Sequence, residues 1–557
     1  MNKIVLFIVS IVTSLSISAQ AQLLSAQLSP EMKIKLQQEI DFIGNLYGSV
    51  YAPKTWKESH LGWNLPQQVS LAQQKLQAAT HLRQARTAVA DLINSTADYH
   101  VSFVFYSTEK SSLPFQVKSV AGQSIIVFID RTKLSEAAFP FDLGDELISI
   151  DGVNVNALKS QMVSILGANV ASTDEALADF YLTQRSGRAN MIVPHGPSSI
   201  VVKKASDDTL NTVTLYWEYE AENLGRIANT KVGSTLLNKN MLGMKAYDFI
   251  ADKKSENRFA IGNRNPFLPN LGERLWETPK ENTFDAYIYQ NEEGKLIGVV
   301  RIFSYSLTDY AKAVKDFSGI IQHFEKHTAA MVIDQNNNPG GSVFYLYTLA
   351  SMMSDQSLRV PKHAVALTYA EASECIDTNK ALENIKNDED AVKSLGDLGG
   401  YTASYQLALG IKDYCNFVIS EYKSGKALSS PYYLWGVDKI TPNAIHYTKP
   451  VVLLVNQLDF SGGDFFPAIM QDNKRVTVVG TRTAGAGGYI LEASFPNNLG
   501  LETVTFTGSI AERTNLNPIE NLGITPDISL TMTANDLRKS FIDYLTELKT
   551  ILKNVIK

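Results

Sequence analysis

Cysteine is almost missing from this chain. Its 557 residues include only Cys375 and Cys415. A disulfide framework is therefore excluded, and spacing does not decide between one bridge and two buried thiols. No Cys/His cluster has metal-ligand spacing, and nothing in the sequence calls for a metal or an organic cofactor. A basic surplus is missing too. The formal net charge is −6, which gives no reason to expect nucleic acid or an anionic membrane as a partner. Beyond the first residues there is no long apolar run, so no stable membrane insertion is expected. What remains is an ordinary globular composition, 45% hydrophobic and 19% charged, long enough for several domains.

The chain begins MNKIVLFIVSIVTSLSISAQAQ. Lys3 precedes an apolar stretch from Ile4 to Ile17, and Ala19-Gln20-Ala21 is a small-x-small site. This is the pattern of a secretory leader cut after Ala21, so an exported protein is expected. The stretch is short for a membrane span.

The most informative segment is VVLLVNQLDFSGGDFFP, Val451–Pro467. An apolar strand runs into a polar turn, then Ser461, Gly462 and Gly463, then a helical pattern. A serine at such a turn presents its hydroxyl, and glycines after it allow close approach of a carbonyl. The Gly462 amide would then face a developing oxyanion. Ser-Gly-Gly also occurs in plain loops, so its partners decide the reading. Serine needs a base. Between Ser461 and Glu520 the only lysine is Lys474, beyond the following helix and expected to face solvent. Histidine is the first choice. Of eight histidines, His100 is favoured, in Asp98-Tyr99-His100 at a helix-to-strand junction. His323 and His327 share a helix face, but no third metal ligand is evident. Glu520, in a turn-rich loop behind Ile519, is the candidate to orient the imidazole; a surface glutamate is the alternative.

Patterning divides the chain into a leader (1–21), an N-terminal helical region carrying His100 (22–110), a β-rich module (111–219), a linker or insertion (220–282), an α/β core (283–533) with a helical insertion (370–426), and a C-terminal helix (534–557). Leu71–Ile93 is expected to be one amphipathic helix. Strands alternating with helices after Thr283 imply a largely parallel sheet, with ligands at the strands' carboxyl ends. Both Ser461 and the turn Asn336-Asn337-Asn338-Pro339-Gly340-Gly341 fall at such ends. In the β-rich module, LGDELISIDG (Leu143–Gly152) resembles the signature of a PDZ domain. That resemblance implies peptide capture by strand addition around Gly144, Asp145 and Leu147. An ordinary β-hairpin is the alternative.

Three ordered islands carry a wider resemblance: NNNPGG (Asn336–Gly341), LVNQLDFSGGDFFP (Leu454–Pro467) and NPIENLGITPDISL (Asn517–Leu530). With a PDZ-like module before them, they resemble the C-terminal processing, or tail-specific, peptidases. The best-known branch pairs serine with a lysine from the region that here reads RTAGAGG (Arg482–Gly488), where there is none. Another branch, which includes the chlamydial protease-like activity factor, uses serine, histidine and glutamate in the chain order found here. The resemblance implies Ser461 as nucleophile, His100 as base and Glu520 as the orienting acid. It implies an oxyanion hole from Gly462 with Gly340 or Gly341, a polypeptide substrate, a homodimer, and an inhibitory role for the 220–282 insertion, removed by self-cleavage. The rival readings are a non-catalytic peptide-binding protein on the same fold and a small-molecule serine esterase.

Overall fold

The computed structural model describes residues 24–223, the backbone of Leu242–Gly243, and residues 257–556. The expected leader and the rest of the insertion lie outside the described residues. Among the described residues no helix is long and apolar enough to cross a membrane.

The core sheet is mixed. Its strand order is Trp276–Glu277, Ala286–Gln290, Leu296–Arg301, Ala330–Asp334, Val451–Val455, Thr477–Gly480 and Ile528–Ser529. From Leu296–Arg301 onward the neighbours pair in parallel. The first three strands pair antiparallel, as do the strands of the other sheets. A largely parallel sheet therefore describes one run of strands and not the fold. The hairpin Ala286–Arg301, closed by a turn at Asn291–Gly294, adds the antiparallel edge.

Both faces of this sheet are covered, which is why its strands are unbroken apolar runs. Met331, Ile333, Leu453 and Val455 face one core, shared with Phe317 and Ile321 of the helix Tyr310–His327 and with Phe466 and Ile469 beyond Ser461. The alternate residues Val332, Val452 and Leu454 face another, closed by Leu548 and Leu552 of the C-terminal helix. Asp334 and Val455 end adjacent parallel strands. The Asn-Pro-Gly-Gly turn and the Ser461 turn therefore leave the sheet side by side.

Three expectations need correction. Leu71–Ile93 is two helices, Leu65–Ala78 and Leu82–Asn94, separated at Ala79–His81, where Ala79 is extended. Their apolar stripes both face the core, so the sequence pattern runs on through the break. The C-terminal helix is likewise two, Ala534–Arg538 and Ile542–Val555, parted by Ser540 and Phe541 at positive φ. The end of the expected linker is packed: Phe259, Ile261, Phe267, Leu268 and Leu271 are buried. Its turns have neither helical nor strand period, so the burial leaves no pattern to read. Cys375 and Cys415 are buried thiols on the packed helices Tyr369–Ala381 and Tyr405–Lys423.

The β-rich module is an antiparallel sheet running from Phe115–Val120 through Gln123–Ile129, Glu146–Ile150, Gly196–Lys203 and Leu210–Glu220. Gly144, Asp145 and Leu147, expected to meet a peptide, each have a role in the fold. Leu147 is in the module's core. The Asp145 carboxylate accepts from the amides of Asp142 and Ala205, each about 2.9 Å or less away. The Gly144 carbonyl accepts from Arg538 at 3.1 Å, so the C-terminal segment sits on this turn. At the outer strand, the amide and hydroxyl of Ser119 both donate to Asp179 at 2.6 Å. Burial pushes the Asp179 carboxyl up to about 6, against the pull of Lys159 and Ser119. The edge that strand addition would use is thus partly taken by the module's own helix.

Candidate active site

Ser461 is the residue before the helix Gly462–Asp472, and its backbone is strained, with φ 55° and ψ −112°. A side chain tolerates that region poorly, and such strain persists only where its surroundings impose it. Here the restraint is Asp464. Its carboxylate accepts from the Ser461 amide (2.8 Å), Thr483 Oγ1 (2.5 Å), Gly485 N (2.9 Å) and Ala486 N (3.0 Å). Burial nevertheless raises the Asp464 carboxyl to about 7. A neighbouring carboxylate, Asp459, accepts from the amides of Asn338 and Asn456, which joins the two strand-end turns. Replacing Asp464 by asparagine turns an NH2 toward these donors and is expected to cost about 2 kcal/mol locally. Hydrogen exchange at Gly485 and Ala486 should then be roughly 30-fold faster than in wild type.

Gly462 packs directly on the second turn. A Cβ at Gly462 would lie 3.1 Å from Gly340 Cα and 3.2 Å from Gly341 N. The Gly340 amide donates to Asn338 Oδ1 at 2.8 Å, and the Gly341 amide lies beside Gly462. Leu242–Gly243 pairs antiparallel with Gly340–Gly341, so a strand of the chain itself runs along this edge.

His100 is fixed through its backbone. Its amide donates to Asp98 Oδ1 at 2.8 Å, and its carbonyl accepts from Thr505 Oγ1 at 2.7 Å. Asp98 Oδ2 in turn accepts from Tyr51 (2.9 Å) and Thr507 (2.8 Å). The next ring along, Tyr99, meets Phe460 edge-on at 5.5 Å, so the residues preceding His100 and Ser461 are in contact. The imidazole is buried, and among the described residues neither of its nitrogens has a hydrogen-bond partner; the same is true of Ser461 Oγ. Burial pushes the His100 pKa down to about 4, with Lys57 adding to it and Asp98 opposing. At neutral pH His100 is therefore an uncharged base.

Glu520 is fully buried. Its Oε2 accepts from Gly487 N at 3.1 Å, and its Oε1 meets Lys57 Nζ at 2.5 Å. It is thus inside, as the sequence suggested, but its charged partner is Lys57 and not His100. Burial and the Asp98 carboxylate raise the Glu520 pKa, while Lys57 and the Gly487 amide oppose them. Lys57 went unseen in the sequence because it lies 463 residues from Glu520 in an unremarkable polar helix, Lys54–Leu61. His323 stacks on Trp276 at 4.2 Å, and His363 stacks on Phe465.

Comparisons with known proteins bear on the family of the chain. Peptidase family S41 matches residues 296–530, and the PDZ domain matches residues 109–227. A Chlamydia trachomatis protein is 34% identical over 566 residues, spanning 93% of this chain and 92% of its own length. A Chlamydia pneumoniae protein is 32% identical, spanning 92% and 89%. The crystal structure of mature CPAF superposes with a TM-score of 0.82 at 35% identity, covering 94% of this chain and 98% of that one. Mature CPAF complexed with lactacystin matches equally well, with TM-score 0.82 and 34% identity over 94% and 99%. The chain belongs to peptidase family S41, in the branch of CPAF, and is a serine-type peptidase.

Proposed function

We propose that the protein is an exported serine endopeptidase that cleaves flexible polypeptides through a Ser461–His100–Glu520 acyl-enzyme mechanism. The observation that carries this reading is the Ser461 hydroxyl, unpartnered on a strained turn directly against Gly340–Gly341. An extended substrate adds along the Gly340–Gly341 edge, which places its carbonyl over Ser461. His100 takes the hydroxyl proton as Oγ attacks, and the Gly462 and Gly341 amides receive the oxyanion. His100 then protonates the leaving amine, and water attacks the ester by the reverse path. Glu520 stabilises the imidazolium formed on the way.

The test is labelling by a serine-directed fluorophosphonate, with casein digestion scored in parallel. Label and cleavage, both blocked by lactacystin, support the reading. Labelling and ester hydrolysis without any peptide cleavage would favour the esterase alternative. Neither activity, in intact and nicked protein alike, would favour a binding protein.

The reading includes self-restraint. Leu242–Gly243 occupies the strand edge that the substrate would use. Cutting the chain within 224–256 is expected to raise turnover of a peptide substrate at least tenfold. Full activity with the segment intact would remove the zymogen from the proposal. Homodimerisation belongs to the same proposal and is checked by sedimentation before and after the cut.

A further inference from the structure

We propose that Lys57 is a positioning residue of this active site, supplying the buried positive charge that favours the ionised form of Glu520 and holds it in place for His100. The inference rests on the Ser461–His100–Glu520 reading and adds a group that neither serine–histidine–glutamate nor serine–lysine chemistry contains.

Lys57 has no exposed surface, and neither does its partner Glu520. Its ammonium group is fully used: Nζ donates to Glu520 Oε1 (2.5 Å), Ala97 O (2.7 Å) and Asn521 Oδ1 (2.8 Å). A buried lysine with three ordered acceptors is rare and costly to desolvate. The acceptors are also informative. Glu520 and Asn521 belong to the acid loop, and Ala97 belongs to the turn that carries Asp98 and His100. Ala97 is held at φ 46°, an uncommon backbone for a non-glycine residue. Asn521 Nδ2 donates to the same Ala97 carbonyl at 2.8 Å. One ammonium therefore sets the spacing between the acid's loop and the base's loop.

The charge balance points the same way. The charged and titratable groups facing Glu520 are Asp98, Lys57 and the Tyr51 hydroxyl, and Asp98 and Lys57 also face His100. Remove Lys57, and two buried carboxylates are left beside a neutral imidazole. Like charges so placed do not both stay ionised, and one takes up a proton. A protonated Glu520 cannot stabilise the imidazolium. Lys57 is the only cation among these groups, and it touches the acid directly.

The experiment compares Lys57→Met, Lys57→Arg, Glu520→Gln and the double variant Lys57→Met/Glu520→Gln in the active protein, measuring kcat, KM and the pH profile on one peptide. Lys57→Met is expected to lower kcat about 100-fold with KM close to wild type, as for a displaced catalytic group. Its acid limb should move upward by a pH unit or more, because loss of the cation raises the Glu520 pKa further and the carboxylate forms only at higher pH. Lys57→Arg should restore the wild-type limb. The double variant should be no slower than Glu520→Gln alone, since both remove one function. It also removes the Glu520 carboxylate that Lys57→Met leaves without its cation, so it tests the proposal if Lys57→Met does not fold. An unmoved acid limb in Lys57→Met, or losses that multiply in the double variant, would overturn the proposal and leave the triad standing. Wild-type kcat in Glu520→Gln would overturn the triad reading and this inference with it.

Discussion

Replacing Ser461 by alanine should abolish turnover while leaving the fold intact. The expected fall in kcat is about 10^4- to 10^6-fold, the range seen when a serine nucleophile is removed from a hydrolase. The structure argues against a concurrent loss of stability. Ser461 Oγ makes no hydrogen bond among the described residues, so its removal breaks none there. The turn is held by the Ser461 amide and Asp464, which alanine leaves unchanged. A thermal midpoint at or slightly above that of wild type is therefore expected, since a buried hydroxyl without a partner costs stability. His100→Ala should lose nearly as much activity, because the two groups act as one unit and serine without its base is a poor nucleophile. His100 also makes no side-chain hydrogen bond among the described residues, so the loss is expected to belong to chemistry and not to a broken network. Turnover and fluorophosphonate labelling, measured beside the melting curves, decide this. If Ser461→Ala retained more than about a tenth of wild-type kcat, Ser461 would not be the nucleophile; such a residue costs orders of magnitude.

What could be read in advance followed from local chemistry. The strand Val451–Val455, the turn at Ser461 and the helix behind it are contiguous, and their apolar run, glycines and helical period are visible in a dozen residues. The PDZ-like strands were legible for the same reason, because their alternation and Asp-Gly turn are local signals. Breaks inside continuing patterns were not legible. Nothing in the apolar spacing marks Ala79–His81 or Ser540–Phe541, since the helices on both sides bury the same stripe. Contacts set by the whole fold were also hidden. Leu147 lies in the PDZ-like signature and fills a core, and Lys57, which no local pattern marks, is sealed against Glu520. A lysine search confined to the region after Ser461 could not reach a helix that precedes His100. Glu520 is legible as an inward-facing carboxylate because its loop is a motif; its ion pair with Lys57 is defined only by folding.

Gly341→Ala should do nearly as much damage as loss of the nucleophile, by a purely geometric route. Gly341 has φ +148°, a conformation that side chains rarely adopt. A Cβ there would stand 2.0 Å from Tyr305 C and 2.2 Å from both Ser306 N and Tyr305 O. All three are backbone atoms, so no rotamer change relieves the clash. The strand must move by about 1 Å, a displacement that can cost a catalytic site about 100-fold by itself. It would move against two restraints, since Tyr305 N donates to Gly340 O and Ser342 N donates to Tyr305 O, both at 2.8 Å. The same shift pulls Gly341 N away from Gly462. Loss of a single oxyanion donor typically removes a further factor of about 10^2 to 10^3. The combined expectation is a fall in kcat/KM of at least about 10^3-fold, with slower fluorophosphonate labelling because the phosphonyl oxygen uses the same donors. The substrate strand also pairs at this edge in the proposed mechanism, so KM should rise in Gly341→Ala, whereas Ser461→Ala should leave substrate binding near wild type. That contrast separates a broken cradle from a missing nucleophile. A Gly341→Ala protein with kcat/KM within tenfold of wild type would mean that neither the oxyanion nor the substrate strand depends on this edge.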